Sequence, residues 1–431
     1  MSTIPAYPAP GPAMSLSGPL LEVEKRILER MADIEAGFRC HWRKTPAPFY
    51  ASVDLRNAGF KIAPVDTNLF PAGFNNLNPD YEPLCIQAVQ QAVALSGVTV
   101  DRILIVPENH TRNLFYLESV AVLQEIIERA GFAVRIGSII PGLETSMRIE
   151  LKSGRTILLE PLQRNGDEVH VGDFRPDLVL LNNDMSAGIP AILEEIKQTV
   201  TPALQLGWSH RLKSVHFGHY QQVASEFAQQ LDIDPWLIDP MFRNCGEVDF
   251  MAGSGISCLT RNIETLLTAI RKKYEEYQVS QEPFVMVKAD AGTYGMGVMT
   301  VHRPDDVIEL NRKQRTRMAT TKEGQKITRV IIQEGVYTRE TWGEQNFVAE
   351  PVIYMIGQSV VGGFYRVHSQ RAINENLNSP GMRFERLAFD DCCIAPDKHQ
   401  DPDAHPNRFY TYGVIARLAL LAAARERASL G

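Results

Sequence analysis

The N-terminal part of the chain alternates between helical and extended spacing of its apolar residues. Just after Pro19, apolar side chains recur every three or four positions, which predicts an amphipathic helix. Its apolar positions are Leu20, Val23, Ile27, Met31 and Ile34. Apolar runs at 50–55 and 60–66 predict two strands, and the stretch 67–80, rich in Asn, Gly and Pro, predicts a polar loop. Residues 80–96 return to helical spacing.

The next segment has the alternation that is typical of an open α/β sheet. A buried strand is predicted at 102–107, a helix at 114–131 and a further strand at 133–139. Residues 148–162 have the pattern of a hairpin, and 177–184 have the pattern of another buried strand. Strands and helices in this order predict an α/β fold with helices packed on a sheet.

Polar loops follow two of these strands. Residues 108–113 (ENHTRN) follow the first strand, and 182–186 (NNDMS) end the last. Ligands of open α/β sheets bind beyond the carboxyl ends of the strands, so Glu108, Asn109 and Arg112 are candidate substrate ligands. The alternative is a pair of solvated loops without a ligand.

The second half of the chain begins with helices and then changes to strands. Helical spacing covers 217–231 and 262–278, and a long helix is predicted at 409–428. The strand patterns between them are 284–288, 298–301, 329–336, 347–356 and 359–368. We place the main boundary near residue 205, which predicts one α/β domain at 20–205 and a second domain at 206–431.

Composition is that of an ordinary globular protein. Of the 431 residues, 44% are hydrophobic and 22% are charged, and no apolar run is long enough to span a bilayer. The net charge of −7 argues against a nucleic-acid-binding surface. Residues 1–19 are rich in Pro, Ala, Ser and Gly and lack the features of a secretory signal, so we expect a disordered tail on a cytoplasmic protein.

The cysteines form no CxxC pair and no metal-binding spacing. The chain contains Cys40, Cys85, Cys245, Cys258, Cys392 and Cys393. We expect reduced, mostly buried thiols, as is usual in a cytosolic protein. A metal or redox role is the alternative, and the adjacent pair at 392–393 is the place where it would arise.

A glycine-rich stretch at 288–301, KADAGTYGMGVMTV, carries the main chemical signal. Lys288 ends an apolar strand, a loop follows with Gly292, Gly295 and Gly297, and a second strand leads away. Walker A and kinase loops place their lysine after the glycines, and a dinucleotide loop has another glycine order and precedes a helix. One interpretation is a hairpin with a flexible tip. The other is a mobile loop that covers a triphosphate, with the lysine supplying charge to the phosphates.

The second interpretation resembles the ATP-grasp enzymes. The resemblance implies that ATP is bound by the glycine-rich loop, by Lys288 and by a second lysine, for which Lys213 lies just ahead of a helix. For Lys213, an ordinary charge beside a helix is the alternative. The resemblance also implies a hinge that holds adenine at the end of the strand 329–336. The hinge residues would be Gln333, Glu334, Gly335 and Val336.

Residues 350–380 are similar to the glutathione-synthetase branch of that superfamily, in which an arginine ends a strand and an Asn-containing loop follows. Arg366 takes the arginine's place and would contact the transferred phosphoryl group. Glu375 and Asn376 in the loop are oxygen donors that suit Mg²⁺. The usual Glu-x-Asn strand of the superfamily does not follow the last helix, so the aspartates at 390–391 are alternative metal ligands. A turn rich in Asn, without metal, is the other alternative.

Together the motifs resemble the glutamate–cysteine ligases of the ATP-grasp-like bacterial type. The resemblance rests on residues 52–77, 106–113, 288–301 and 374–385. It implies an open α/β domain followed by an ATP-grasp domain. It also implies ligation of the γ-carboxylate of L-glutamate to L-cysteine through an acyl phosphate, with ATP and Mg²⁺, and with Arg366 and Lys288 as catalytic residues.

Within this reaction, glutamate needs groups that bind two carboxylates and an ammonium. The segment 52–70 offers arginine and lysine for carboxylates, aspartates for the ammonium and asparagines for orientation. The candidates are Asp54, Arg56, Asn57, Lys61, Asp66 and Asn68. Surface ion pairs are the alternative explanation for these charges.

Two other functions stay open at this point. One is a related ligase with a different amine acceptor, and the other is a nucleotide-binding regulator without catalysis. In every case the expected partners are small molecules rather than nucleic acid or a membrane. The sequence does not decide whether the protein forms a homo-oligomer.

Overall fold

The computed structural model describes residues 18–109, 112–292, 297–320, 326–387 and 408–430. Its helices are α1 (Pro19–Glu29), α2 (Met31–Lys44), α3 (Glu82–Ala94), α4 (Leu114–Arg129), α5 (Lys213–Leu231), α6 (Ile256–Glu276), α7 (Asp305–Ile308), α8 (Arg312–Ala319) and α9 (Arg408–Ala428). The single helix predicted after Pro19 is wrong in one respect, because two helices meet at Arg30. The apolar spacing continues across this break, so the spacing could not reveal it.

The strands are β1 (Tyr50–Asn57), β2 (Ile62–Asn68), β3 (Arg102–Pro107), β4 (Ala133–Ser138), β5 (Met147–Glu150), β6 (Thr156–Pro161), β7 (Gln163–Asn165), β8 (Glu168–His170), β9 (Leu178–Asn182), β10 (Thr199–Thr201), β11 (Phe242–Glu247), β12 (Val285–Ala289), β13 (Val298–Val301), β14 (Arg329–Glu334), β15 (Thr341–Trp342), β16 (Phe347–Ile356), β17 (Ser359–His368) and β18 (Met382–Arg386). The mixture of helices with several sheets confirms the predicted α/β class.

The first sheet has the strand order β10-β9-β3-β4-β6-β5. Its neighbours are parallel except for the β5–β6 hairpin, which confirms both the open α/β sheet and the hairpin predicted at 148–162. The apolar side chains of α3 and α4 pack with those of β3 and β9 in one core. Because β3 and β9 are parallel, both end at the same edge, and the polar residues that follow them lie side by side.

The second sheet joins strands from distant parts of the sequence in the order β18-β17-β16-β1-β2, with β15 beside β16. All of these pairs are antiparallel. Residues 50–68 therefore belong to the same sheet as residues 347–386. This sheet crosses the boundary proposed near residue 205, and the division of the chain at that point remains a prediction.

The third sheet has the order β11-β14-β12-β13. Strands β12 and β13 form an antiparallel pair in which Lys288 is opposite Val298, which confirms the two strands predicted here and is common to both interpretations of the glycine-rich stretch. The tip at 293–296, with Gly295, lies outside the described residues.

The last helix, α9, has mostly apolar side chains between Gly413 and Ala424, and it is buried over most of its length. It contacts α5 on one side and β1 and β2 on the other. It thus covers the face of the second sheet that is turned away from the polar residues described below. Within the described residues, no helix is both long and apolar enough to cross a membrane.

Candidate active site

A cavity of about 850 Å³ lies where the three larger sheets meet. The second sheet contributes side chains from β1, β2, β16, β17 and β18, and the third sheet contributes β12, β13 and β14. The carboxyl ends of β3 and β9 contribute Glu108, Asn182 and Asp184. A space of this size and mixed polarity is that of a small-molecule binding site.

Two carboxylates face each other on the cavity side of the second sheet. Asp54 on β1 and Asp66 on β2 are direct cross-strand partners, and both line the cavity. Each is held by a different cation: Arg366 Nη1 lies 2.7 Å from Asp54 Oδ2, and Lys213 Nζ lies 3.0 Å from Asp66 Oδ1. Like charges directly opposite each other destabilise a sheet, so these two cations offset a built-in repulsion.

The two carboxyl groups differ in how readily they ionise. Burial raises the pKa of Asp54, and the positive charge of Arg366 offsets this only in part. Burial would also raise the pKa of Asp66, but the charges of Lys213 and Lys288 outweigh it and lower the pKa to about 2. Asp66 is therefore a firmly ionised group between two lysines.

Arg366 and Arg56 share one carboxylate, that of Glu350 on β16. Arg56 Nε donates to Glu350 Oε2 at 2.9 Å, and Arg366 Nη1 donates to Oε1 at 2.5 Å. The buried Nε of Arg366 has no hydrogen-bond partner within the described residues. Since buried donors normally have partners, this N–H is available to a ligand in the cavity.

Arg56, which is predicted to bind a carboxylate of glutamate, is bonded to the protein itself in this structure, and its role toward glutamate remains a prediction. Besides Glu350, its guanidinium donates to the backbone carbonyl of Val336 at 3.1 Å and to that of Glu375. All three of its nitrogens are thus used inside the protein, although the side chain lines the cavity. The geometry makes Arg56 a clamp between β1, β16 and the loop after β17.

Lys288 and Gln333 form a pair on neighbouring strands of the third sheet. Lys288 Nζ donates to Gln333 Oε1 at 2.6 Å and to the Val65 carbonyl at 2.9 Å. Burial lowers the pKa of Lys288 to about 8. Since Oε1 accepts from the lysine, the amide Nε2 of Gln333 is the free end, and it is buried without a partner in the described part of the chain. Both side chains line the cavity, and their role in binding a nucleotide remains a prediction.

The described glycines of the loop next to Lys288 have positive φ angles, +100° for Gly292 and +62° for Gly297. Gly292 lines the cavity. At Gly297 a Cβ atom would come within 2.6 Å of Ile327 Cδ1. The backbone conformation and the close approach both require glycine there.

Lys61 and Asn57 are not among the described residues that line the cavity, so the structure does not support them as substrate ligands. Lys61 is fully buried, and its Nζ lies 2.6 Å from Glu334 Oε2 and 4.4 Å from the centre of the Trp236 ring. Asn57 donates to Glu340 Oε1 at 3.1 Å. Asn57 ends β1, both of whose faces are buried, so alternation alone could not tell the cavity side from the interior. Lys61 lies in the turn just before β2, where no alternation applies.

Glu334 and Val336 line the cavity, and their place at a hinge that holds adenine remains a prediction. The carboxylate of Glu334 is fully used, since it accepts from Lys61, from Trp236 Nε1 at 3.0 Å and from the Met241 N–H at 3.0 Å. Glu334 would therefore contact a ligand through its backbone and through the shape of the cavity wall, rather than through its carboxylate.

The predicted metal ligands do not come together. Asn376 lines the cavity, but Glu375 does not. The Glu375 carboxylate accepts from Arg371 Nη1 at 2.8 Å and from the Ala372 N–H at 2.8 Å, and is partly exposed. It closes a local turn, which is the alternative weighed for this loop. The aspartates at 390–391 and the cysteines at 392–393 lie outside the described residues.

The loop after β3 is only partly at the cavity. Glu108 lines it and accepts from the Asp184 N–H at 2.7 Å, whereas Asn109 and Arg112 are exposed and away from the described lining. Asn68 lines the cavity, and its Oδ1 accepts from the Phe70 N–H at 2.9 Å.

Several lining residues escaped the sequence analysis. Glu350 is one, and Trp208 is another, with its ring 3.8 Å from Lys213 Nζ. Asp290, just after Lys288, accepts from the N–H and hydroxyl of Ser214 at 2.8 Å each and so ties the glycine-rich loop to the start of α5. Alternation from Val352 could have placed Glu350 on the cavity face, but Trp208 lies in an irregular segment without a pattern.

Comparison with known proteins adds independent information. The model of the glutamate–cysteine ligase family (GshA) matches residues 24–427. A crystal structure from Methylobacillus flagellatus KT, provisionally named a gamma-glutamylcysteine synthetase, is 55% identical, with 98% of this chain and 99% of that chain covered and a TM-score of 0.91. A search of curated proteins finds no match.

Two distant solved structures are also similar. D-alanyl-alanine synthetase A from Vibrio cholerae is 10% identical over 75% of this chain and 82% of its own, with a TM-score of 0.34. A glutathione synthetase-like effector from Globodera pallida is 9% identical over 88% of this chain and 84% of its own, with a TM-score of 0.33. Neither is close enough to bear on function. The family match over nearly the whole chain decides the matter: this chain belongs to the glutamate–cysteine ligase family.

Proposed function

We propose that the protein joins the γ-carboxylate of L-glutamate to the amine of L-cysteine, with ATP as the source of energy. The observation that carries the proposal is the convergence of Lys213, Lys288 and Arg366 on one cavity, around two opposed carboxylates. Membership of the ligase family supports the reaction type. A carboxylate is a poor acyl donor, so the γ-phosphoryl group of ATP first passes to it, giving an acyl phosphate and ADP. The amine then attacks the acyl carbon and releases phosphate.

The nucleotide end of the cavity is the third sheet. Apolar side chains of Met286 and Val298 there suit a base, and the free amide of Gln333 suits a hydrogen bond to it. Lys213 and Lys288 lie beyond them and suit the phosphates. The glycine-rich loop provides backbone that can approach the phosphates closely and exclude water from the acyl phosphate.

The family implies a divalent metal, and the residues present fit one better on β1 and β2 than on the loop with Glu375. Asp54, Asp66 and Asn68 are oxygen donors of the kind that Mg²⁺ prefers, on adjacent strands and on the cavity face. Magnesium commonly takes only one or two carboxylates plus phosphate oxygens. This agrees with the lack of any cluster of three or more His, Cys, Asp or Glu able to hold a metal in the described parts of the chain.

The cations and carboxylates of the cavity are arranged so that each can exchange its present ion-pair partner for a ligand. In the structure Arg366 and Lys213 hold Asp54 and Asp66. With these cations bound to phosphate oxygens, Asp54 and Asp66 would be the carboxylates that hold a metal. A bound metal would supply neutralisation of phosphate charge. Arg366, with its free Nε–H, would stabilise the negative charge that develops on the transferred group.

A coupled assay of ADP release over a panel of amino acids tests the reaction. We expect release to require Mg²⁺, glutamate and an amine together, with cysteine as the best acceptor. Full release with aspartate in place of glutamate, or without any amino acid, would reject the ligase. Equal rates with several amines would favour a related ligase with another acceptor.

Binding of Mn²⁺, followed by electron paramagnetic resonance in the presence of a non-hydrolysable ATP analogue, tests the metal assignment. We expect Asp54→Asn and Asp66→Asn to weaken Mn²⁺ binding on the order of tenfold or more, since each loses one charged ligand. Glu375→Gln is the matched control and should bind Mn²⁺ like the wild type. The opposite pattern would return the metal to the loop.

A further inference from the structure

A buried network connects the last helix to the strand that carries Asp66. Its centre is Glu426 on α9, which is only 3% exposed. Arg211 donates to its carboxylate through Nε at 3.0 Å and through Nη2 at 3.0 Å. His216 adds a bond from Nδ1 at 3.2 Å. Three donor atoms thus fix one carboxylate in a setting where water does not compete.

The other side of the network is Thr67 on β2. Arg211 Nη1 donates to the Thr67 carbonyl at 2.6 Å. The hydroxyl of Thr67 donates to His216 Nε2 at 3.0 Å, because in the neutral ring the nitrogen opposite the donating Nδ1 is an acceptor. Both the backbone and the side chain of Thr67 are therefore fixed by residues that Glu426 holds.

These contacts lie directly behind the cavity. Successive side chains of a strand point to opposite faces, so Thr67 points away from the cavity while Asp66 and Asn68 point into it. Lys213, the partner of Asp66, lies in the chain between Arg211 and His216. The network thus holds the backbone on both sides of the Asp66–Lys213 pair without touching either charged group.

We propose that Glu426 is a positioning residue: through Arg211, His216 and Thr67 it holds Asp66 and Lys213 at the separation that binds a triphosphate and its divalent cation. The last helix thereby takes part in the ligase site from the side opposite the substrates. The inference rests on the proposed function for the roles of Asp66 and Lys213.

The structure offers a matched control, an ion pair that joins the same helices without reaching β2. Arg425 and Glu226 join the same two helices, α9 and α5, with 2.6 Å between Nη2 and Oε2. That pair is partly exposed, at 23% and 52%, and within the described residues neither side chain is hydrogen-bonded to β2. Loss of this pair should leave Thr67 in place.

The test uses the full-length protein, the single variants Glu426→Gln and Thr67→Val, the double variant that combines them, and the control Glu226→Gln. Glu426→Gln keeps the shape and removes the charge, and Thr67→Val removes the hydroxyl that meets His216. The measurements are the Kd of Mn²⁺ with the ATP analogue, the Kd of the analogue without metal, and the Tm. The Kd of the analogue without metal measures the position of Lys213, which is proposed to bind phosphate. The Kd of Mn²⁺ measures the position of Asp66, which is proposed to bind the metal.

We expect Glu426→Gln and Thr67→Val each to weaken Mn²⁺ and analogue binding about tenfold, and the double variant to lose less than the two effects combined, because one network is broken twice. Glu226→Gln should bind like the wild type.

A Glu426→Gln protein with a lower Tm but wild-type Kd values would overturn the inference and leave Glu426 a structural residue. If Glu426→Gln does not fold, the two Kd values of Thr67→Val decide in the same way. A wild type that binds no Mn²⁺ would refute the metal assignment, whereas the metal-free Kd would still decide on positioning.

Discussion

At the scale of single residues, the cavity charges are already paired in the absence of substrate, and the pairs differ in what they leave free. Lys288 uses two acceptors from the protein itself, a side-chain amide and a backbone carbonyl. Its burial lowers its pKa to about 8, so a modest rise in pH removes its charge. Its contribution to phosphate binding should therefore depend on pH in the range where the enzyme is handled.

The first prediction is that the affinity for the ATP analogue falls as the pH rises above about 8. Phosphate binding favours the charged lysine, so affinity is constant below the pKa of the free protein and weakens by up to about tenfold per pH unit above it. Titration calorimetry at pH 7, 8 and 9 measures it. Lys288→Arg keeps its charge throughout and should remove the pH dependence, while Lys288→Ala should lose on the order of 10²-fold in turnover at pH 7. A wild type with the same Kd at pH 7 and 9 would show that Lys288 does not meet phosphate.

The second prediction concerns Arg56. Arg56→Lys replaces a fork with three buried bonds by a single ammonium, so at least one buried acceptor loses its charge-assisted donor. We expect the free energy of unfolding to fall by roughly 2–4 kcal/mol, measured by urea unfolding. Arg371→Lys, a partly exposed pair with Glu375, is the control and should change stability by about 1 kcal/mol or less. An unchanged stability with a raised KM for glutamate would instead make Arg56 a direct substrate ligand.

At the scale of elements, most helices and strands could be predicted from the sequence. Burial of one face places an apolar residue at every second position of a strand and at every third or fourth position of a helix. The hairpin around Lys288 and Val298 follows directly from two apolar runs and a glycine-rich connection. The orientation of β1 was not available in the same way. Both of its faces are buried, one against the cavity and one against α9, so Asn57 could not be told from Asp54 by pattern. Lys61 lies in the turn before β2, outside any strand pattern.

The third prediction belongs to the glycine-rich hairpin. Gly297→Ala should destabilise the protein by roughly 1–2 kcal/mol for the positive φ alone, and more because the new methyl group meets Ile327. It should also weaken binding of the ATP analogue. Gly154→Ala is the control, since that residue has φ +84° and open space around it in the β5–β6 turn. We expect the control to have a lower Tm, because alanine disfavours a positive φ, and an unchanged Kd for the ATP analogue. Equal Tm and Kd for both variants would mean that the loop adapts freely.

At the scale of the whole molecule, the site residues come from three sheets and from the end of the chain, and this assembly is what the sequence could not show. Lys288 and Arg366 were found because a local motif surrounds each of them. Glu426 has no motif, and its partners Arg211 and His216 lie 215 and 210 residues away along the chain. Such residues become visible only when the fold has brought them together.

The fourth prediction is that acid weakens the fold through Glu426. Burial would raise the pKa of this carboxyl group, but the charge of Arg211 and the bond from His216 outweigh burial and lower it from 4.5 to about 2. The unfolded chain then binds the proton more readily, so the stabilisation is complete above pH 4.5 and is lost as the pH falls towards 2. The loss attributable to Glu426 is about 3 kcal/mol.

Urea unfolding at pH 6, 5, 4 and 3 measures this loss. Glu426→Gln should be less stable than the wild type at pH 6, and the difference should shrink as the pH falls. The control Glu226→Gln should keep the steep loss of the wild type. A Glu426→Gln curve parallel to the wild-type curve over the whole range would contradict the prediction.

The sheet that unites β1 and β2 with β16 and β17 has a consequence for biosynthesis. Asp54 and Arg366 are separated by 312 residues, so at a translation rate of roughly 5–20 residues per second the hairpin with Asp54 and Asp66 waits roughly 15–60 s for its partner strand. During that time β1 has an unpaired edge, which is open to pairing with other nascent chains. The chain acquires its catalytic centre only when synthesis is nearly complete. Ribosomes that stall before residue 350 would therefore release fragments that carry both aspartates but not the strand against which they assemble.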